Sequence, residues 1–86
     1  MGELVDNYMH YNIQVNIDTV KHICAELYFY EMDVDAIQGK YIVDAKSIMG
    51  LFSLDLSRSI TIRVHIDDMK KDQTHDIEEL LRPYIV

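Results

Sequence analysis

The spacing of apolar positions changes period several times along this chain, and each change marks an element. From Met9 to Val15 the positions alternate. Met9, Tyr11, Ile13 and Val15 fall on one side, and His10, Asn12 and Gln14 on the other, as in a half-buried strand. Met1 to Asn7 reads as a polar lead-in to that strand. Asn16-Ile17-Asp18 breaks the alternation, and Asp18 is placed to be an N-cap, its carboxylate accepting an amide left unpaired at a helix start. Val20, Ile23, Cys24 and Leu27 then repeat at three and four, with Tyr28 continuing the stripe, which predicts an amphipathic helix running to Tyr30. Met32 to Ile37 reads as a short strand with Val34 and Ala36 inward. Gln38-Gly39 is a turn in which Gly39 can take the positive φ of a tight hairpin, and Lys40 to Asp44 is the returning strand. Ser59 to Ile66 is the cleanest alternation in the chain, Ile60, Ile62, Val64 and Ile66 against Thr61, Arg63 and His65. Asp67-Asp68 offers carboxylates at the start of a last helix, with Asp72 as the other candidate cap. That helix buries Ile77, Leu80 and Leu81, carries Arg82 near its end and is stopped by Pro83.

Between the hairpin and the last strand lies the densest apolar run, Ala45 to Leu56. Ser47 stands where an N-cap would stand, before a short helix running to Leu54. Ile48, Met49, Leu51 and Phe52 occupy little more than one turn, so they cannot all face one core. Either the segment is buried on both sides or part of it is an exposed docking patch. Leu51 and Leu54 are core positions in both cases; Met49 and Phe52 are the candidates for docking. The order β-α-β-β-α-β-α predicts an α+β, open-faced sandwich with helices gathered on one face of the sheet.

Composition narrows the function classes. A chain of 86 residues is one small domain, spanning 1–86. No apolar run reaches the ~20 residues of a membrane span, and Met1-Gly2-Glu3-Leu4 lacks the features of a signal peptide. The single cysteine, Cys24, cannot form an internal disulfide, which fits a reducing, cytoplasmic setting. The formal charge of −7, from 15 acidic and 8 basic residues, argues against nucleic acid, whose binding depends on neutralising phosphates. Cys24 sits on the apolar stripe and reads as core. Asp33 and Asp35 share a strand face but lack the further ligands and Gly-containing loop of a calcium site. His10, His22, His65 and His75 show no metal-ligand spacing, so neither metal nor cofactor is expected. The six tyrosines read as core and edge packing. Edge strands of an open sheet can pair between copies, but Lys40 and the neighbouring acidic residues work against that.

Lys46-Ser47-Ile48-Met49-Gly50, followed by Leu51-Phe52-Ser53-Leu54, resembles the regulatory-serine segment of the HPr family, the small phosphocarriers of the bacterial sugar phosphotransferase system. The order of elements resembles that family from Met9 to Leu81. The resemblance implies a four-stranded antiparallel sheet with three helices on one face. It also implies that Ser47 is a phosphorylation site for an HPr kinase/phosphorylase, and that Ile48, Met49 and Phe52 dock protein partners. A phosphate at a helix start gains from free amides and the helix dipole.

The family's other hallmark is a Gly-Ile/Leu-His-Ala/Thr-Arg-Pro motif opening the first helix, whose histidine carries the phosphoryl group. A gap-free count from Ser47 sets Asn16 at that histidine, Asp18 at the arginine and Thr19 at the proline. Asparagine cannot accept a phosphoryl group as imidazole does, and Asp18 places negative charge where the family has positive. The resemblance therefore implies a non-catalytic regulatory or adaptor relative, acting in carbon catabolite regulation through a transcriptional regulator or the serine kinase. Two other readings stand beside it. One is a phosphocarrier that uses His22 or His10; the other is a structural interaction module with neither phosphorylation.

Overall fold

The computed structural model describes residues 3–5, 7–66 and 71–86. Its elements are β1 (Glu3–Val5), β2 (Tyr8–Ile13), α1 (Ile17–Leu27), β3 (Val34–Gln38), β4 (Tyr41–Asp44), α2 (Ile48–Phe52), β5 (Ile60–His65) and α3 (Lys71–Leu81), and α3 runs into a 3-10 turn at Arg82–Tyr84. The expected α+β architecture is present. β2, β5, β3 and β4 form a four-stranded antiparallel sheet in that spatial order, and the three helices cover one face. A fifth, short strand extends the sheet: β1 pairs with β2, so the order is β1-β2-β5-β3-β4.

Glu3–Val5, inside the expected polar lead-in, is thus a strand. Val5 pairs with Tyr8 across Asp6-Asn7, and Asn7 takes φ 68°, a left-handed conformation that asparagine tolerates better than most residues. A three-residue strand is too short to show a period.

The register places the alternating apolar positions on one face. Met9 lies opposite Val64, Tyr11 opposite Ile62 and Ile13 opposite Ile60; on the other side of β5, Ala36 pairs with Ile62 and Val34 with Val64. These side chains meet Val20, Ile23, Cys24 and Leu27 of α1, Leu51 of α2, and Ile77 and Leu81 of α3 in one core. Burial raises the Cys24 thiol above its ordinary pKa, and the negative charge of Asp44 adds to the effect. The Tyr11 hydroxyl donates to Glu78 Oε2 at 2.9 Å, linking the sheet to α3. The helix-free face carries polar pairs. Arg63 pairs with Asp35 at 2.7 Å and lies over the Tyr8 ring, and Thr61 donates to Asn12 Oδ1 at 2.8 Å.

Several boundaries differ from the sequence reading. Asn16, not Asp18, caps α1. Its Oδ1 accepts the Thr19 amide at 2.9 Å, while its own amide donates to Thr19 Oγ1 at 2.8 Å. This reciprocal capping box starts the helix at Ile17, two residues before an Asp18 cap would, leaving Asp18 in the first turn. The helix ends at Leu27, where Phe29 and Tyr30 donate to carbonyls three residues back. The stripe therefore does not reach Tyr28, which is exposed, as is Tyr41; of the six tyrosines only Tyr11 is in the core. β3 begins at Val34, and the hairpin turn is Gly39-Lys40, with Gly39 at φ 59°. Asp67-Asp68 lies outside the described residues, and Asp72 falls in the first turn of α3. Pro83 sits inside the 3-10 turn that ends the helix. The segment after it returns to β2, with Val86 donating to the Asn12 carbonyl at 3.0 Å.

Candidate docking site around Ser47

A tight turn at the end of β4 aims Ser47. The Asp44 carboxylate accepts the Lys46 amide at 2.9 Å and the Asp44 carbonyl accepts the Ser47 amide at 3.0 Å. Ala45 between them is fully buried, its amide donating to the Val34 carbonyl at 2.9 Å. The Lys46 ammonium donates to the Tyr30 carbonyl, which ties the turn to the segment after α1. Ser47 is then extended (φ −105°, ψ 111°) and is the N-cap of α2: its exposed hydroxyl oxygen accepts the Gly50 amide at 3.2 Å. The Leu51 amide reaches the Ser47 carbonyl at 3.0 Å, which closes the first turn.

The helix runs only from Ile48 to Phe52, and its short length decides how its apolar residues divide. Leu51 is 1 % exposed and packs into the core. Met49 on the opposite side is 77 % exposed, Phe52 is 41 % exposed and Ile48 is half-buried. Gly50 allows the helix to lie close to β4, since a Cβ there would stand 3.2 Å from Val43 Cβ. Past Phe52 the Ser53 and Leu54 amides reach back three residues, and Leu54 turns into the core. The following loop is clamped from two sides. The Gln38 side-chain amide exchanges two bonds of 2.8 Å with the Asp55 backbone, and Gln14 Nε2 donates to the Leu56 carbonyl at 3.1 Å. Asp55 accepts the Ser57 hydroxyl at 2.6 Å and its amide at 3.0 Å, which holds its carboxyl below the usual carboxylate range.

These clamps hold Phe52, Leu54 and Leu56 beside the start of α1. With Ile17 and Lys21 they line an open groove of about 440 Å³. Ile17 and Lys21 are the part of this surface that the sequence does not single out. Ile17 has the spacing of the α1 stripe, but in the first turn the stripe runs past the core and leaves it 58 % exposed. Asn16 caps the same helix start, next to this groove in sequence, with its side-chain oxygen engaged by Thr19. The surface therefore combines an exposed serine hydroxyl, an apolar ridge from Met49 to Phe52, and an apolar groove with a lysine beside it. Such a surface can bind a protein partner.

The histidines lie elsewhere. His22 is exposed on α1, beyond the capped first turn, and His75 is exposed on α3, 4.0 Å from Glu79. His10 and His65 are on the helix-free face of the sheet; His10 is half-buried with Nδ1 shielded from solvent, and His65 stacks at a tilt on Tyr8. Among the described residues no three His, Cys, Asp or Glu side chains are grouped to hold a metal ion, and no helix is long and apolar enough to cross a membrane. Compared with protein-family models and with curated proteins, the chain matches none.

Proposed function

We propose that this chain is an HPr-like regulatory or adaptor protein of the phosphotransferase system. It acts in the cytoplasm of a bacterium, binds protein partners through α2 and the adjoining groove, and has no histidine phosphocarrier activity. The observation that supports this most is the division of α2 into a buried Leu51 and an exposed ridge of Met49 and Phe52, beginning at an exposed cap hydroxyl. Methionine and phenylalanine held out of a small core suit adaptable, apolar recognition. Phosphorylation of Ser47 would replace a neutral cap by a group of about −1.5 to −2 charge beside that ridge. The free amides at the helix start would favour the charge locally, while its desolvation would oppose an apolar partner. One modification thereby changes which partners bind, and the serine kinase and a transcriptional regulator are the partners proposed.

Two reactions read by intact mass test the reading. With ATP and an HPr kinase, wild type is expected to gain one phosphate that Ser47→Ala does not. With phosphoenolpyruvate and Enzyme I it is expected to gain none. An acid-labile phosphate in the second reaction would sink the regulatory reading and point to His22 or His10. No gain in the first would remove the serine switch.

A further inference from the structure

β4 is the last strand on its side of the sheet. One bond fixes which of its backbone groups face outward: the Ala45 amide donates to the Val34 carbonyl. β3 and β4 pair as Asp35↔Asp44, Ala36↔Val43, Ile37↔Ile42 and Gln38↔Tyr41. Bonded and non-bonded pairs alternate in an antiparallel ladder, so Val43 and Tyr41 bond inward to β3, and Ile42 and Asp44 turn their amides and carbonyls out. The Asp44 carbonyl is already engaged by the Ser47 amide. The Ile42 amide and carbonyl are left as an open donor and acceptor at mid-strand. The side chains here are unusually bare for a small domain: Ile42 is 59 % and Tyr41 69 % exposed.

We propose that this edge pairs with the same edge of a second copy of the chain, antiparallel, about a two-fold axis at Ile42. The pairing joins the two sheets into one and keeps both sets of helices on the same face. Self-complementarity of the strand identifies the occupant. With Ile42 opposite Ile42 of the second copy, the two exchange both backbone bonds. Tyr41 then faces Val43 of the second copy, an aromatic against a β-branched residue, and this contact occurs twice. Lys40, two residues before Ile42, faces Asp44, two residues after it, also twice. A lysine at a sheet edge ordinarily blocks pairing. In this register it meets a carboxylate, so the same lysine admits a second copy while opposing unrelated strands. The interface is isologous, as a two-fold contact requires.

Sedimentation equilibrium of the full chain from about 10 μM to about 1 mM, the range of weak association, tests the proposal. Wild type is expected to pass reversibly from 10.1 kDa to twice that mass. Lys40→Glu sets like charges opposite each other at both ends and should weaken the dimer about tenfold or more; Asp44→Lys should do the same. An equimolar mixture of these two variants restores opposite charges at both positions and should associate as tightly as wild type, although neither does so alone. Asp44 also shapes the turn before Ser47, so a second measurement covers a failure of that variant to fold: Ile42 amide exchange in wild type should slow with concentration, and not in Lys40→Glu. A constant 10.1 kDa mass, association unchanged by Lys40→Glu, or capture of an unrelated extended peptide without self-association would each overturn the proposal.

Discussion

The division of α2 into one buried and one bare apolar side chain can be measured. Leu51 is 1 % exposed and surrounded by core, so Leu51→Ala removes a fully buried branched side chain and leaves a cavity. Such substitutions cost about 2–5 kcal/mol, depending on how far the site collapses. Met49 is 77 % exposed, so about a quarter of its surface is withdrawn from water. Full burial of such a side chain stabilises by about 1.5–3 kcal/mol, which gives Met49→Ala a cost of about 0.3–0.7 kcal/mol. Two residues apart on one five-residue helix, the substitutions should differ by about 1.3–4.7 kcal/mol. At about 4–8 °C per kcal/mol for a domain this size, Leu51→Ala should lower Tm by about 10 °C or more while Met49→Ala barely moves it. Urea unfolding followed by far-UV circular dichroism and tyrosine fluorescence gives both values, since the chain has six tyrosines and no tryptophan. A Met49→Ala cost equal to that of Leu51→Ala would refute the reasoning, because α2 would then be buried on both sides and would present no ridge. If Met49→Ala is as stable as wild type yet loses a partner, the ridge is functional and not structural.

The same unfolding assay checks three further expectations. Tyr11→Phe removes the bond to Glu78 and should cost about 1–2 kcal/mol at neutral pH. Burial first, then the bond to Glu78 and its charge, raise the Tyr11 hydroxyl above its ordinary 10.0. Its stabilisation is therefore complete below that pH and lost as pH rises toward the folded value, so wild type should weaken above about pH 10 more steeply than Tyr11→Phe; parallel declines would count against this. Ser47→Ala should cost about 1 kcal/mol through loss of the α2 cap, whereas Ser47→Asp, which can still accept the Gly50 amide, should stay within about 0.5 kcal/mol of wild type. A Ser47→Ala variant as stable as wild type would show that the cap bond contributes nothing. Gly39→Ala meets no atom within 4 Å but must adopt φ 59°, so its cost of about 1–2 kcal/mol is one of backbone conformation alone, and an unchanged urea midpoint would exclude it.

How much of this was legible in the sequence depended on whether the signal was local. The strands at Tyr8–Ile13 and Ile60–His65 were readable because each has one buried face, and burial imposes a period of two over enough residues to be seen. The stripe of α1 was readable for the same reason, although its cap was not: Asn16 and Asp18 are both good caps, and the choice rests on the reciprocal bonds with Thr19. β1 was invisible because three residues cannot display a period, and only the pairing with β2 makes them a strand. Ser47 as a helix start was legible, since capping is a matter of a few adjacent residues.

The sequence by itself determined the longer elements from β2 to α3, their order, and that α2 carries more apolar residues than one face can hold. It could not determine which of those residues are bare, because exposure depends on where the helix lies relative to β4 and the core. Nor could it join Ile17 and Lys21 to Phe52, Leu54 and Leu56, which are brought together by the Gln38 and Gln14 clamps from distant strands and loops. The pairing proposed for Lys40 was equally out of reach. A lysine on an edge reads as a barrier until the ladder phase of β4 shows that its counterpart across a two-fold would be Asp44. Local propensity and periodicity are written residue by residue along the chain, whereas exposure, grooves and edges are properties of how distant segments are packed.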